Sequence, residues 1–404
     1  MAGRLSGWLH GFVNDGPPVL PRRRKHALTP TPSTTNLLST QPRLDGTANS
    51  PLFQKLPAEI RIQILTAAFG ERTLHMDVLL SYPPWRSQPV AHERAVPGHG
   101  GLFIEPSRAG DGKSYPVLDT TARQTWFWHG SVCHRNPPGT EDDGGRHSVQ
   151  PCQDLCRSGI TPDDTCSQWP GVSPEKCRIG AMGWLRSCRQ AYLEGIDILY
   201  GTNTIHTASK ALILDADRLL LPQRLAAITS LQVLWDFGSR PPWAESFPSK
   251  AKELIGVFEA MLRAVLSSFR GLKTLYISVQ WTGREPQVTG PWWPGNGPDD
   301  AVERLLMRRV DAMVRQLPAR VADFALAVPS SIYVEQCQVA RETPGRTVEH
   351  VSDGARYERF WRPVEKGNAH AGYWVRLGQK DMKISEQSMV SDTLRPHEWI
   401  LYAQ

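Results

Sequence analysis

KAKELIGVFEAMLRAVLSSFRGLKTLYISVQ, residues 250–280, sets the architecture. Residues 250–269 read as a helix, and LKTLYISVQ (272–280) as a short apolar strand. The same alternation continues on both sides. Residues 209–227 are mainly helical with a break at Pro222, and LQVLWDF (231–237) is a strand. Residues 299–316 are helical, and VADFALAV (321–328) is a strand. Strand starts fall roughly 40 to 50 residues apart, and apolar strands separated by helices pair in parallel through right-handed crossovers. The expected class is α/β, or α+β: a mixed layer of helices and short parallel strands. The spacing is also that of an irregular leucine-rich array, but the three units share no fixed consensus. A single α/β layer fits equally well.

Upstream, MGWLRSCRQAYLEGIDILYGTN predicts an amphipathic helix with Leu185, Cys188, Tyr192, Ile196 and Leu199 in one stripe. Arg186, Gln190, Glu194 and Asp197 form its opposite side. Arg189 lies near the stripe and is expected to have a carboxylate or carbonyl partner. Gly201 ends this helix, and TNTIHTA reads as a strand.

Earlier still, SPLFQKLPAEIRIQILTAAFG (50–70) predicts a helix from Pro57 to a stop at Gly70, with Glu59 at its positive end. Leu56, Ile60, Ile64 and Ala67 make one apolar stripe; Ile62, Leu65 and Phe69 make a second on the far side. A helix apolar on most of its circumference must be covered on most of it. Either both stripes are buried at home, or one docks at home and the other meets a partner. Burying each residue of the second stripe would contribute about 1.5 to 3 kcal/mol before ordering costs. RTLHMDVL (72–79) follows as a strand.

The expected organisation is a disordered basic arm (1–49), the helix and first strand (50–80), an irregular insertion rich in Pro, Gly, Trp and Cys (81–180), and a helix/strand domain (181–404). In the last part WVRLG is expected to add a final strand. The net charge of +6 is partly local, since Pro21–His26 carries four of the positive residues. Seven cysteines in 404 residues do not make a disulfide scaffold, so a reducing cytoplasmic or nuclear setting is expected. No segment approaches the roughly 18 to 20 apolar residues of a membrane span.

The sequence carries no G-x-S-x-G, G-x-x-x-x-G-K-[ST], H-E-x-x-H or strand-following G-x-G-x-x-G pattern. No catalytic residue and no cofactor is therefore assigned. The pairs Asp142-Asp143, Asp163-Asp164 and Asp299-Asp300 read as solvated turns, and His75 and His206 as packing or surface residues on strands. Cys133-His134, Cys152-x3-Cys156, Cys166 and Cys177 gather in the insertion with His147 nearby. Cys152 and Cys156 have the spacing of a tight zinc-ligand pair, with Cys166 and Cys177 to complete four, but a second tight pair is missing. Packing cysteines are the default, with a zinc-stabilised scaffold as the alternative. Fourteen tryptophans, among them Trp126 with Trp128, Trp292 with Trp293 and Trp361 with Trp374, are expected in packing roles. Arginines are scattered rather than banded, so no nucleic-acid groove is expected.

Two segments carry a resemblance. LPAEIRIQIL (56–65) resembles the first part of an F-box, and LRSCRQAYLEGIDILYGTNTIH (185–206) resembles the segment that follows it in many fungal F-box-like proteins. With SVCHRNPP and RLLLPQRLAAITSLQVLWDF, the layout is similar to a fungal family of uncharacterised proteins, the domain of unknown function 7730 group. The F-box resemblance implies binding to a Skp-type adaptor of a cullin ubiquitin ligase, with Leu56, Pro57, Ile60, Ile64 and Leu65 as anchors. The second stripe adds Ile62 and Phe69 as candidate partner-binding residues. The expectation is a non-catalytic interaction module, with a client protein held by the later α/β part. An enzyme with an unrecognised pocket at the strand C-termini is the alternative from another class.

Overall fold

The computed structural model describes residues 18–21, 50–83, 96–97, 103–106, 114–136, 150–154, 156, 166, 168–172, 175–242, 247–281, 301–344, 346–352, 356–365 and 368–381. The three acidic pairs, His147 and Trp292-Trp293 lie outside these residues, as does most of the basic arm. Of that arm, residues 18–21 are docked. The Pro18 carbonyl accepts a hydrogen bond from Trp126 Nε1 at 2.6 Å, and Leu20 packs on the main core.

One nine-stranded sheet organises the chain. It contains β1 (Thr73–Ser81), β5 (Thr125–Val132), β6 (Thr204–Thr207), β7 (Ser230–Asp236), β8 (Thr274–Gln280), β9 (Asp323–Val328), β10 (Val348–Ser352), β11 (Arg356–Glu365) and β12 (Asn368–Leu377). Their order is β10-β11-β12-β9-β8-β7-β6-β1-β5. From β1 through β6, β7, β8 and β9 to β12 every pairing is parallel; β5 at one end and β11 and β10 at the other are antiparallel. The strands β2 (Val96–Pro97), β3 (Phe103–Pro106) and β4 (Ser114–Pro116) form a separate antiparallel sheet. The α/β class expected from the alternation is the class observed.

The parallel strands are laid down in chain order, so crossovers of one hand put their helices on one face. These are α5 (Lys210–Leu214), α6 (Ala216–Leu219), α7 (Pro222–Ala227), α8 (Pro248–Ser268) and α9 (Arg308–Val314), the last entered through a π-helical turn at Glu303–Met307. Helix α8 touches all four of the others. Leu231, Val233, Trp235, Leu275, Ile277 and Val279 meet them in one core with Phe258, Met261 and Val265. At the bend into β8, a Cβ on Gly271 would lie 1.9 Å from the Ala226 carbonyl oxygen, so the backbones approach there as only glycine allows.

The other face reads across the sheet as one row of paired residues: Ser131, His75, His206, Gln232, Tyr276, Ala325, Trp374 and Trp361. A single 3₁₀ turn at Pro151–Gln153, from the Cys-containing insertion, lies over β7 and β8. Burying a parallel sheet on both faces explains why β8 is covered along nearly its whole length. Among the described residues, no helix is long and apolar enough to cross a membrane.

The C-terminal part is more regular than the sequence implied. WVRLG belongs to β12, as expected, but RYERFWRPV is the long strand β11, and α10 (Ser330–Glu342) crosses between β9 and β10. The helix predicted through Leu185 and Cys188 is in fact two: α3 (Ala181–Leu185) and α4 (Arg189–Gly201). Cys188 is extended, and its Sγ caps α4 by accepting from the Ala191 amide at 3.3 Å. The break rotates the later turns. Ala191, Gly195 and Ile198 join Ile196 as buried residues, and Arg189 is exposed instead of lying against an apolar stripe.

Candidate functional site

The quoted N-terminal segment forms α1 (Pro51–Lys55) and α2 (Ala58–Phe69), with Gly70 as the C-cap of α2. Glycine at that cap follows the stop read from the sequence. Helix α2 docks on α4. Leu65 and Phe69 are each 3% exposed and pack with Ala181, Leu185, Ile196 and Ile198. The docking side also includes a charged residue that apolar patterning does not reveal. Arg61, itself buried, sends Nε to Glu194 Oε2 at 3.0 Å, Nη2 to Glu194 Oε1 at 2.6 Å and Nη1 to the Leu56 carbonyl at 2.5 Å. Gln190 Nε2 donates to the same carboxylate at 2.9 Å. Two side chains assigned to the solvent side of α4 thus face α2.

The first stripe is largely exposed, and the second is divided between buried and exposed residues. Leu65 and Phe69 are core residues, which corrects their assignment as partner-binding positions; Arg61 and Glu194 orient this side inward. Ile60, Ile62 and Ile64 are 40%, 47% and 46% exposed. Leu56 is half-buried, and Pro57 is exposed at the N-cap. Beside Ile64 lies a groove of about 190 Å³ lined by Leu52, Leu65, Ala68, Phe69 and Trp184. Its floor is set by Trp184, which meets Phe53 at 5.6 Å between ring centroids. A Cβ on Gly195 would sit 2.7 Å from Trp184 Cδ1, so glycine lets the indole lie against α4.

The insertion delivers a second, buried constellation beside β1 and β6. His75, Cys133, Asp154 and Cys156 place their donor atoms within 4.8 Å of one another, as do His134, Cys166 and Cys177. In the first group Cys133 Sγ donates to Asp154 Oδ2 at 2.9 Å, Arg135 Nη1 donates to the same oxygen at 3.2 Å, and the Cys156 amide donates to Oδ1 at 3.0 Å. The Cys133 hydrogen bond and burial together push the Cys156 thiol well above its usual range. Cys152, read from the sequence as half of a tight pair with Cys156, belongs to neither group. Its Sγ donates to Gln150 Oε1 at 3.4 Å, and burial pushes it up to about 11. His75 entered unannounced: strand β1 brings it to Asp154 from far away in the chain, and spacing within the insertion carries no trace of it.

His75 and His206 are both fully buried on their strands, with rings edge-to-face at 4.8 Å. Nδ1 of His206 lies 3.1 Å from Gln232 Oε1 and 3.3 Å from Arg135 Nη1. Burial pushes the His206 imidazole down to about 4, with Asp154 opposing and Arg135 adding to the effect. The unfolded chain, with histidine near 6.5, then binds a proton that the folded chain refuses. Stability is full above that value and falls as pH drops toward 4, by about 3 kcal/mol in all. Urea unfolding at pH 7 and pH 4.5 measures the loss. His206→Gln is expected to flatten the slope in this window, and an unchanged slope would contradict the assignment.

A nine-stranded mixed sheet with helices on one face and a Cys-containing turn on the other defines an α/β protein. The chain belongs to the family described as a domain of unknown function (DUF7730), whose profile matches residues 135–340, just over half of its length. The matched residues take in Asp154, Cys166 and Cys177 and the strands β6 to β9; helix α2 lies outside them. No curated protein and no solved structure matches the chain.

Proposed function

We propose that this chain is a non-catalytic interaction protein whose α2 edge binds a Skp-type adaptor of a cullin ubiquitin ligase. The observation that carries this reading is the split helix: one side of α2 is held by Phe69, Leu65 and Arg61, while Ile60 and Ile64 stay exposed, with Ile64 lining an apolar groove. Ile60 and Ile64, one turn apart on the same side of the helix, are an exposed apolar surface in search of cover. In helix-mediated docking, such residues fill pockets on the partner while the groove accepts a side chain in return. The client would meet the open sheet face near β11 and β12, where Trp361 and Trp374 pack edge-to-face at 5.1 Å and the Arg359 guanidinium lies 4.0 Å over the Trp374 ring. Aromatic and arginine side chains are the usual anchors of protein interfaces. The setting would be cytoplasmic or nuclear.

The test is calorimetric titration of the purified full chain with a purified Skp-type adaptor. Ile60→Asp with Ile64→Asp is expected to weaken binding by at least about tenfold, which corresponds to about 1.4 kcal/mol. The melting temperature should hardly move, because both side chains are exposed. No heat of binding with the unsubstituted chain, or equal affinity with the substituted one, defeats the proposal.

A further inference from the structure

We propose that His134, Cys166 and Cys177 bind a zinc ion, which staples the chain leaving β5 to the turns that lead into α3. The proposal is independent of the adaptor reading, because these residues lie apart from α2 and the argument concerns their geometry alone. His134 Nδ1 lies 3.2 Å from Cys166 Sγ and 3.9 Å from Cys177 Sγ, and the two sulfurs are 3.8 Å apart. Zinc with bonds of about 2.3 Å to sulfur and about 2.0 Å to nitrogen, at tetrahedral angles, holds two sulfurs about 3.8 Å apart and sulfur and nitrogen about 3.5 Å apart. The triangle therefore has the size of one face of a zinc tetrahedron. A disulfide needs its sulfurs at about 2.05 Å, far closer than these.

The surroundings favour the ion. All three side chains are buried, Cys177 and His134 almost completely. Two thiols that release their protons to solvent on binding leave two thiolates, which neutralise a divalent cation, and the imidazole adds no charge. The buried site then carries no net charge, which is the condition for keeping ions out of water. The ligands are also held from outside. The Trp169 ring stacks on His134 at 4.8 Å, its Nε1 donates to the His134 carbonyl at 3.1 Å, and Lys176 Nζ donates to the carbonyls of Cys166 and Trp169 at 2.5 and 3.0 Å. Such supports fix ring and loop orientation before the metal arrives. Among the described residues three protein donors meet here, and tetrahedral zinc has room for one further ligand.

The neighbouring group is a hydrogen-bonded network instead. Its Cys133–Asp154 distance of 2.9 Å is shorter than the about 3.5 Å expected between sulfur and oxygen on one zinc. Its carboxylate is already neutralised by Arg135.

The experiment is metal analysis of the full chain purified without chelator, followed by exchange with cobalt(II). The expected result is about one zinc per chain and, after exchange, the strong visible absorption of tetrahedral cobalt bound by thiolate. Cys166→Ser with Cys177→Ser should remove the metal, whereas Cys152→Ser should keep it. Should the double variant fail to fold, the unsubstituted chain still decides: chelator should lower its melting temperature and zinc should restore it. Chain without metal that refuses added zinc, a Cys166–Cys177 disulfide, or metal lost with Cys133→Ser but kept in the double variant would each overturn the proposal.

Discussion

Phe69→Ala is expected to destabilise the protein by about 3 to 5 kcal/mol, the range for deleting a fully buried aromatic side chain. The ring lies at the foot of α2 in a small cluster with Leu65, Ala181, Leu185, Ile196 and Ile198, apart from the main core. A small cluster has few neighbours able to close over the cavity. The adjoining backbone is committed as well, since the Phe69 carbonyl accepts from Asn203 Nδ2 at 2.8 Å and the same amide nitrogen donates to the Leu199 carbonyl at 2.9 Å. Ile62→Ala, in the same stripe but two turns earlier and exposed, should change stability by no more than about 0.5 kcal/mol. Urea titrations of the two variants measure the contrast. Equal small effects would show that α2 does not rest on α4.

The second large effect concerns the other end of the sheet. Arg362→Ala is expected to cost about 3 to 5 kcal/mol, because it strands a buried carboxylate. From β11, Arg362 reaches Asp311 of α9 with both prongs, Nε to Oδ1 at 2.9 Å and Nη2 to Oδ2 at 2.8 Å. Nη2 also donates to Glu303 at 2.8 Å, and the hydroxyl of the buried Tyr373 donates to Asp311 Oδ1 at 2.9 Å. Arg362→Lys should recover only part of the loss, since an ammonium cannot reproduce the planar fork. Replacing the pair together, Arg362→Met with Asp311→Leu, should be far milder than Arg362→Ala, because no buried charge is left alone. A double variant as unstable as Arg362→Ala would mean that packing, not charge, makes this contact.

The helix–strand alternation was legible because buried parallel strands are short apolar runs and their crossover helices have one apolar side. The strands at 231–237, 272–280 and 321–328 fall within two residues of β7, β8 and β9 at every boundary. Strand β5 was hidden by its composition. TWFWHGSV alternates poorly, and it becomes a strand because β1 offers it an edge. Helix α10 was hidden too, since SSIYVEQCQVARE opens on Ser, Ile, Tyr and Val, which have lower helix propensity, before its Glu, Gln and Arg. At the candidate site, apolar periodicity located α2 but not its orientation. The deciding contact, Arg61 with Glu194, joins residues 133 positions apart, and an arginine inside an apolar pattern gives no hint of a distant carboxylate. The cysteines were visible as a cluster, but their grouping depends on which loops fold over β1 and β6.

The same separation has a consequence during synthesis on the ribosome. Strand β1 pairs in parallel with β6, and α2 rests on α4, each across about 130 residues. At about 5 to 20 residues per second, translation leaves the emerging Leu65 and Phe69 without their cover for on the order of 10 s. During that delay the nascent chain presents both apolar stripes of α2 at once, and a chaperone, or a client of the wrong kind, meets a surface that the finished protein never displays.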